Sequence, residues 1–438
     1  MDNIHARLLA LGLKVPQILL PRQPVDLSAW AVIACDQFTQ DRPYWERVRQ
    51  IVGDKPSTLN MIYPEAYLEA GPPAEREGAV HRAMTSYLEG DVFAPPFTGC
   101  MYVERDTPCR RRRRGLVIAA DLDRYDWGLR SRTLIRATEG TVPERLPPRM
   151  DIRRDAPLEC PHILLLINDR QNTLLPGLAG LLGSAEPAYR ANLMMNSGSV
   201  SGWALDREEH WAFIAGQLEA VSAPFLYAAG DGNHSLAAAK GVWEEYKAAH
   251  RGKPGLADNP RRFALVEIEN LYDPAVSFEP IHRIVFNTGI DALLKALAPL
   301  PGFAVSSLSG APDGGLLRRM VEDRDAPGTR LGLVSGSRRF LVETSAPGLA
   351  TAALQPLLDD FTRGAGPSID YIHGTEDLLR LAGADREGPS SAVGILLPPL
   401  RKEGLFETVA RSGPLPRKSF SMGESTEKRF YLECRRLR

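Results

Sequence analysis

The sequence predicts a mixed fold of the α/β type (α+β in detail), built from two or more packed domains. Three observations carry that expectation. Short apolar runs fit for buried strands alternate with segments of helical period. The chain has 438 residues, more than one hydrophobic core usually serves. Its 35 prolines and 38 glycines are scattered, so they punctuate many short elements. There is no internal repeat and no long low-complexity tract. One α/β region is expected over 1–204 and a second over 205–438.

In the first region, Trp30 to Cys35 (WAVIAC) reads as a buried strand that ends at the polar Asp36-Gln37 turn. Pro43 then opens a helix with Trp45, Val48, Ile51 and Val52 on one face and Gly53 as its stop. Met101 to Glu104 and Leu116 to Ala120 read as strands flanking a solvated basic loop, Arg110 to Arg114. Leu134 to Arg136 and Ile163 to Ile167 are further strands, separated by an irregular proline-rich stretch.

In the second region, Asp206 followed by Glu209 forms a capping-box-like start for a helix to about Val221. Phe225 to Ala229 is a strand, and Ser235 to Lys247 a helix. Phe263 to Ile268 and Ile281 to Phe286 are strands. Beyond Gly289, helices such as Ala292 to Leu297 alternate with strands such as Leu331 to Val334 and Phe340 to Val342.

Composition removes several function classes. Hydrophobic residues make up 44% and charged residues 24%, an ordinary globular balance, and the net charge of −1 argues against a general nucleic-acid binder. The five cysteines (Cys35, Cys100, Cys109, Cys160, Cys434) contain no CxxC pair, so free thiols are expected rather than a zinc ribbon or a redox dithiol. The opening MDNIHARLLALGLKVPQILLP is interrupted by His5, Arg7 and Lys14, unlike a signal peptide, and no run approaches the roughly 20 apolar residues of a membrane span. A cytoplasmic protein is expected. No HExxH, GxSxG, Walker or GxGxxG pattern occurs, and no metal-ligand cluster is read.

The strongest local signal is Gly230-Asp231-Gly232-Asn233-His234, between a buried strand and a helix. The first N–H groups of a helix lack intrahelical partners and attract anions. Gly232 lets backbone approach a ligand, and Asn233 adds polar groups. Asp231 suits a base or metal ligand, and His234 a donor to phosphate. An equally open alternative has Asp231 or Asn233 simply capping the helix. Arg136, Arg145 and Arg149, with Glu139 and Glu144, suit an anion-binding loop or a solvated one. His282, Arg283 and His373 stand at element ends, where a structural role is the simpler account.

Several segments, in this order, resemble the family catalogued as domain of unknown function 1015. They are Val32-Ile33-Ala34-Cys35-Asp36, Arg136 with Glu139, Asp231 to His234, Pro280 with His282-Arg283, Asp370-Tyr371-Ile372-His373, and Pro416-Arg417-Lys418-Ser419-Phe420. The turn is also similar, more distantly, to that of the ParB and sulfiredoxin superfamily, which includes free-serine kinases. That resemblance implies a ParB/sulfiredoxin-like element holding nucleotide phosphates (ADP or ATP, with Mg2+), with Asp231 and His234 at the transferred group. Ser235 departs from the pattern, since an arginine is common there; Arg136, Arg145 or Lys418 could supply the missing charge.

The leading expectation is a phosphotransferase acting on a small hydroxylated metabolite such as serine, with Asp231 or Glu139 as base. A nucleotide- or metabolite-binding regulator and a phosphatase of phosphoserine-like esters are the alternatives. Asp36, Arg136, Glu139, Asp231, His234, His282 and Lys418 are expected to share one pocket.

Overall fold

A computed structural model of the chain describes residues 2–39, 41–67, 73–108, 112–221, 223–308, 314–323, 325–326, 328–346, 349–383 and 391–438. It is a mixed α/β protein whose chain forms two compact units. Unit 1 comprises Met1–Ser277, Val409–Pro414 and Ser425–Arg438; unit 2 comprises Phe278–Thr408 and Leu415–Glu424. The change of domain expected at 204/205 lies inside unit 1. Strand Ser199–Leu205 pairs along its whole length with Cys100–Asp106, and hydrogen-bonded pairing of that kind keeps both flanks in one body.

Unit 1 is organised on a ten-stranded sheet. Its order is Tyr189–Asn192, Ser199–Leu205, Cys100–Asp106, Arg112–Asp121, Phe263–Asn270, Leu164–Ile167, Tyr227–Asp231, Ile135–Ala137 and Tyr125–Asp126, with Leu13–Lys14 added beside Arg112–Asp121. Side chains alternate between faces, as the pleat demands. Leu116, Ile118 and Ala120 join one apolar cluster while Val117 joins the other. The first cluster is closed by helices Leu174–Leu182, Glu208–Val221 and Asn233–Ala249. Leu236 of the last helix is buried there, worth about 1.5–3 kcal/mol.

Helix Arg42–Val52 is capped by Asp41, whose carboxylate accepts from Tyr44 N at 2.9 Å, and ends at Gly53 with φ 54. Its buried stripe is Tyr44, Trp45, Val48 and Val52, so Ile51 falls beyond the stripe's edge and is 42% exposed. Trp30 closes the short helix Leu27–Trp30 instead of opening a strand, which is only Val32–Ile33. Arg112 to Arg114 are part of strand Arg112–Asp121 rather than a solvated loop; Arg110 lies outside the described residues. Arg113 is buried because it faces Glu269, at 2.9 Å. The stretch expected to be irregular contains the 3-10 turn Pro143–Arg145 and helix Pro147–Arg154.

Ser425–Arg438 returns to unit 1 from far along the chain. Phe430–Tyr431 pairs antiparallel with Val32–Ile33, and Arg435–Arg436 with Leu158–Glu159. The indole of Trp30 donates to the Leu432 carbonyl at 3.0 Å.

Unit 2 has its own sheet, ordered Ala304–Ser307, Arg338–Thr344, Thr329–Ser335, Ala392–Leu396, Phe278–Phe286 and Ser368–His373, with Phe420–Met422 paired to Phe278–Phe286. Apolar clusters lie on both of its faces, one around Leu293, Leu333 and Ile395, the other around Ile284, Leu317 and Leu378. Among the described residues, no helix is long and apolar enough to cross a membrane.

Candidate functional site

The turn after strand Tyr227–Asp231 is the centre of a polar network in unit 1. The strand runs through Gly230 and Asp231, and helix Asn233–Ala249 starts two residues later. Gly232 is the N-cap residue, left-handed at φ 72, and no side chain caps the helix. A Cβ at Gly232 would lie 3.0 Å from Ile163 Cα and 3.4 Å from His162 Cδ2, so glycine is required by both dihedral and space. The capping alternative therefore fails for both candidates. Asp231 instead accepts from Gly232 N at 2.9 Å, and Asn233 Nδ2 donates to Ala229 O at 3.2 Å.

Asp231 has a cationic partner that sequence reasoning missed. Lys428 Nζ lies 3.0 Å from Asp231 Oδ2, the two side chains being 6% and 17% exposed. Arg105 holds the backbone that carries this lysine. Its buried guanidinium donates to Thr426 O at 2.7 Å, to Glu427 O at 2.8 Å and to Lys428 O, and it stacks over Phe430. Burial drives the Arg105 pKa down, with Arg113 adding repulsion. The buried Glu269 carboxylate is pushed up by burial and pulled back by Arg113 and Arg105.

On the other side of Gly232, His162 is a hub. Its Nδ1 lies 2.8 Å from the Tyr431 hydroxyl, whose oxygen also accepts from Cys35 N at 3.1 Å. Its Nε2 lies 3.1 Å from Ser235 Oγ and 3.7 Å from Asp36 Oδ2. Ser235 and Asp36 thus face the same ring nitrogen. A Ser-His-Asp triad needs them on opposite nitrogens, so these three groups do not form one.

A cavity of about 140 Å³ adjoins the first turn of the helix. Cys35, Glu65, Arg149, His162, Ser235 and Tyr431 line its polar side; Met61, Ile152 and Leu437 are among its apolar walls. Glu65 pairs with Arg149, yet burial and the nearby Asp36 raise its pKa.

The expected residues divide between the two units. Asp36, Arg149, Asp231, Gly232, Asn233 and His234 belong to this part of unit 1. His234 Nε2 accepts from Val142 N at 3.2 Å, which places its ring proton on Nδ1. Glu139 is two residues beyond Ala137, which pairs in parallel with Ala229, so it follows the same strand ends as Asp231. Arg136 has structural work at the opposite end of these strands: it donates to Thr133 O and Pro224 O and stacks over Phe225. Arg145 is exposed, and its carbonyl accepts from Arg149.

His282, Arg283, His373 and Lys418 belong to unit 2. His282 Nδ1 accepts from Leu397 N at 3.1 Å and Nε2 meets Thr375 Oγ1 at 3.2 Å. Buried Arg283 ties Ile281 O, Lys418 O and Gln355 together under the Tyr371 ring. The Lys418 side chain is exposed, and His373 pairs with Ile281 at the end of its strand. Among the described residues no group of three or more His, Cys, Asp or Glu is arranged to hold a metal ion.

The family profile described as Protein of unknown function (DUF1015) matches residues 19–360. No curated protein matches the chain. Solved structures that the chain matches include a conserved hypothetical protein from Pyrococcus furiosus, 13% identical, covering 73% of this chain and 95% of that one at a TM-score of 0.37. A free serine kinase mutant in complex with ADP is 13% identical, with 75% and 94% covered and a TM-score of 0.39. SbnI from Staphylococcus aureus, C-terminally truncated, is 12% identical, with 70% and 82% covered and a TM-score of 0.35.

Proposed function

Since this chain belongs to the DUF1015 family, whose description assigns no activity, we propose its function from the site itself: phosphoryl transfer from a nucleotide to the hydroxyl of a small metabolite, with serine the first acceptor to try. One observation carries the reading. A carboxylate, Asp231, and a nearly buried cation, Lys428, stand 3.0 Å apart where a 17-residue helix begins without a side-chain cap.

Phosphoryl transfer asks for positioned positive charge and a group that takes the hydroxyl proton. The uncapped helix entrance and Lys428 supply the charge; Asp231 takes the proton, with Glu139 as the neighbouring carboxylate. Asp36, His162, Ser235 and Tyr431 orient what enters beside them. Arg149 is bound to Glu65 and acts on an anion only if that pair opens. Mg2+ fits this donor set only as an ion carried in by the nucleotide, because Lys428 already occupies Asp231 and no protein cage is formed among the described residues.

The test combines thermal shift with turnover. ATP or ADP should raise the melting temperature of the full chain, and serine should then yield phosphoserine. Asp231→Asn should keep the nucleotide-induced shift and lose turnover by roughly a hundredfold or more. Absence of any nucleotide shift sinks the proposal. A shift without turnover on any hydroxylated acceptor replaces it with a regulator, and nucleotide-independent hydrolysis of phosphoserine replaces it with a phosphatase.

A further inference from the structure

Cys160 and Cys434 are 274 positions apart in sequence, yet their sulfurs are 3.1 Å apart, inside ordinary sulfur van der Waals contact. Both are free thiols; Cys434 is buried and Cys160 half-buried. The register explains the approach. Arg435 faces Glu159 and Arg436 faces Leu158 in an antiparallel pair, so Cys434 and Cys160 fall at the next cross-strand position. The neighbouring pair is fixed by charge: Glu159 accepts from Arg435 Nε at 2.7 Å and from Arg153 Nη1 at 2.5 Å. Little motion is needed to bring the two sulfurs to bonding distance, about 2.05 Å.

Access differs between the two. Cys160 lines the cavity beside His162, whereas Cys434 is fully enclosed. A small oxidant entering the cavity therefore meets Cys160 first, with Cys434 behind it.

We propose that Cys160 and Cys434 form a site of reversible oxidative modification, a disulfide made by hydrogen peroxide and opened by a dithiol. In the first step the Cys160 thiol gives its proton to water and the thiolate attacks one peroxide oxygen; the O–O bond breaks and the departing hydroxide takes up a proton as water, leaving a sulfenic acid. In the second, the Cys434 sulfur attacks the sulfenyl sulfur; the S–O bond breaks and the departing hydroxide takes the Cys434 proton as water. In sum, two thiols and one peroxide give one disulfide and two waters. A dithiol reductant reverses it by thiol–disulfide exchange, itself becoming oxidised. The bond ties the segment carrying Lys428 and Tyr431 to the segment carrying His162. It does so whether or not the site transfers phosphate.

The test uses the full chain, treated with hydrogen peroxide, then denatured, alkylated and mapped by mass spectrometry. A Cys160–Cys434 cross-linked peptide that dithiothreitol removes is expected, with a melting temperature about 5 °C above that of the reduced protein. In Cys434→Ser, which keeps the small polar shape, the cross-link should vanish and dimedone should label Cys160. Alkylation of both cysteines after peroxide overturns the proposal. So does pairing of Cys160 with Cys35, the other thiol on the cavity wall.

Discussion

The Asp231–Lys428 pair makes a sharp claim about stability, testable by a double-mutant cycle. At 3.0 Å and an effective dielectric of about 20, the attraction is about 5.5 kcal/mol. Withdrawing two ions from water costs several kcal/mol each, so the pair as a whole contributes little. Removing one member is a different matter, because the other charge stays buried. Lys428→Met leaves the Asp231 carboxylate uncompensated and should cost about 3–5 kcal/mol. Asp231→Asn strands the lysine but keeps an oxygen to accept from Gly232 N, so its cost should fall at the lower end of that range. The double variant has no stranded charge and should cost only about 1–2 kcal/mol, a coupling of about 4 kcal/mol or more. All six tryptophans lie in unit 1, so urea denaturation followed by tryptophan fluorescence reads this unit alone. Single-variant losses that simply add in the double variant would refute the reasoning, as would a Lys428→Met cost below about 0.5 kcal/mol.

Two further outcomes follow from positions already described. Gly232→Ala combines a left-handed residue with a Cβ 3.0 Å from Ile163 Cα, and should lose about 2–3 kcal/mol in the same fluorescence assay; a change within about 0.5 kcal/mol contradicts the turn geometry. In unit 2, burial first, then Arg318, Arg283 and His373, lowers the His282 pKa from 6.5 to about 4. The unfolded chain thus binds this proton before the folded one does, and stability present above about pH 6.5 is lost as pH falls toward 4, to a total of about 3 kcal/mol. His282→Gln should flatten that slope in urea transitions followed by circular dichroism at several pH values; an unchanged slope rejects the assignment.

What the sequence disclosed was local. The Gly230 to His234 turn could be read because its cause, a strand meeting a helix through glycine, lies within a few neighbouring residues. Lys428, His162 and Tyr431 could not. Each is ordinary in its own segment, and their meaning arises only when Phe430–Tyr431 pairs with Val32–Ile33 across some 400 positions. Strand Phe263–Asn270 hid the same fact. Its Glu267 and Glu269 alternate with apolar residues as if facing water, yet every position is buried because Arg429 and Arg113 cover the acidic side. Arg136 misled in the opposite way: a guanidinium near a glycine loop suggests an anion, but two backbone carbonyls and a phenyl ring already satisfy it.

The route of the chain also dictates when the site can exist. Unit 1 is interrupted at Ser277, and Lys428, Tyr431 and Arg429 reach it only with Ser425–Arg438. At roughly 5–20 residues per second, the ribosome needs about 7–30 s to travel from Ser277 to Ser425. Throughout that interval Glu267 has been synthesised without Arg429, and Trp30 without the Leu432 carbonyl to which its indole donates. Nascent unit 1 must therefore wait, with acidic and apolar surface bare, while unit 2 is made. A ribosome that stalls before Lys428 releases a chain whose sheet is nearly complete and whose Asp231 has no lysine to face.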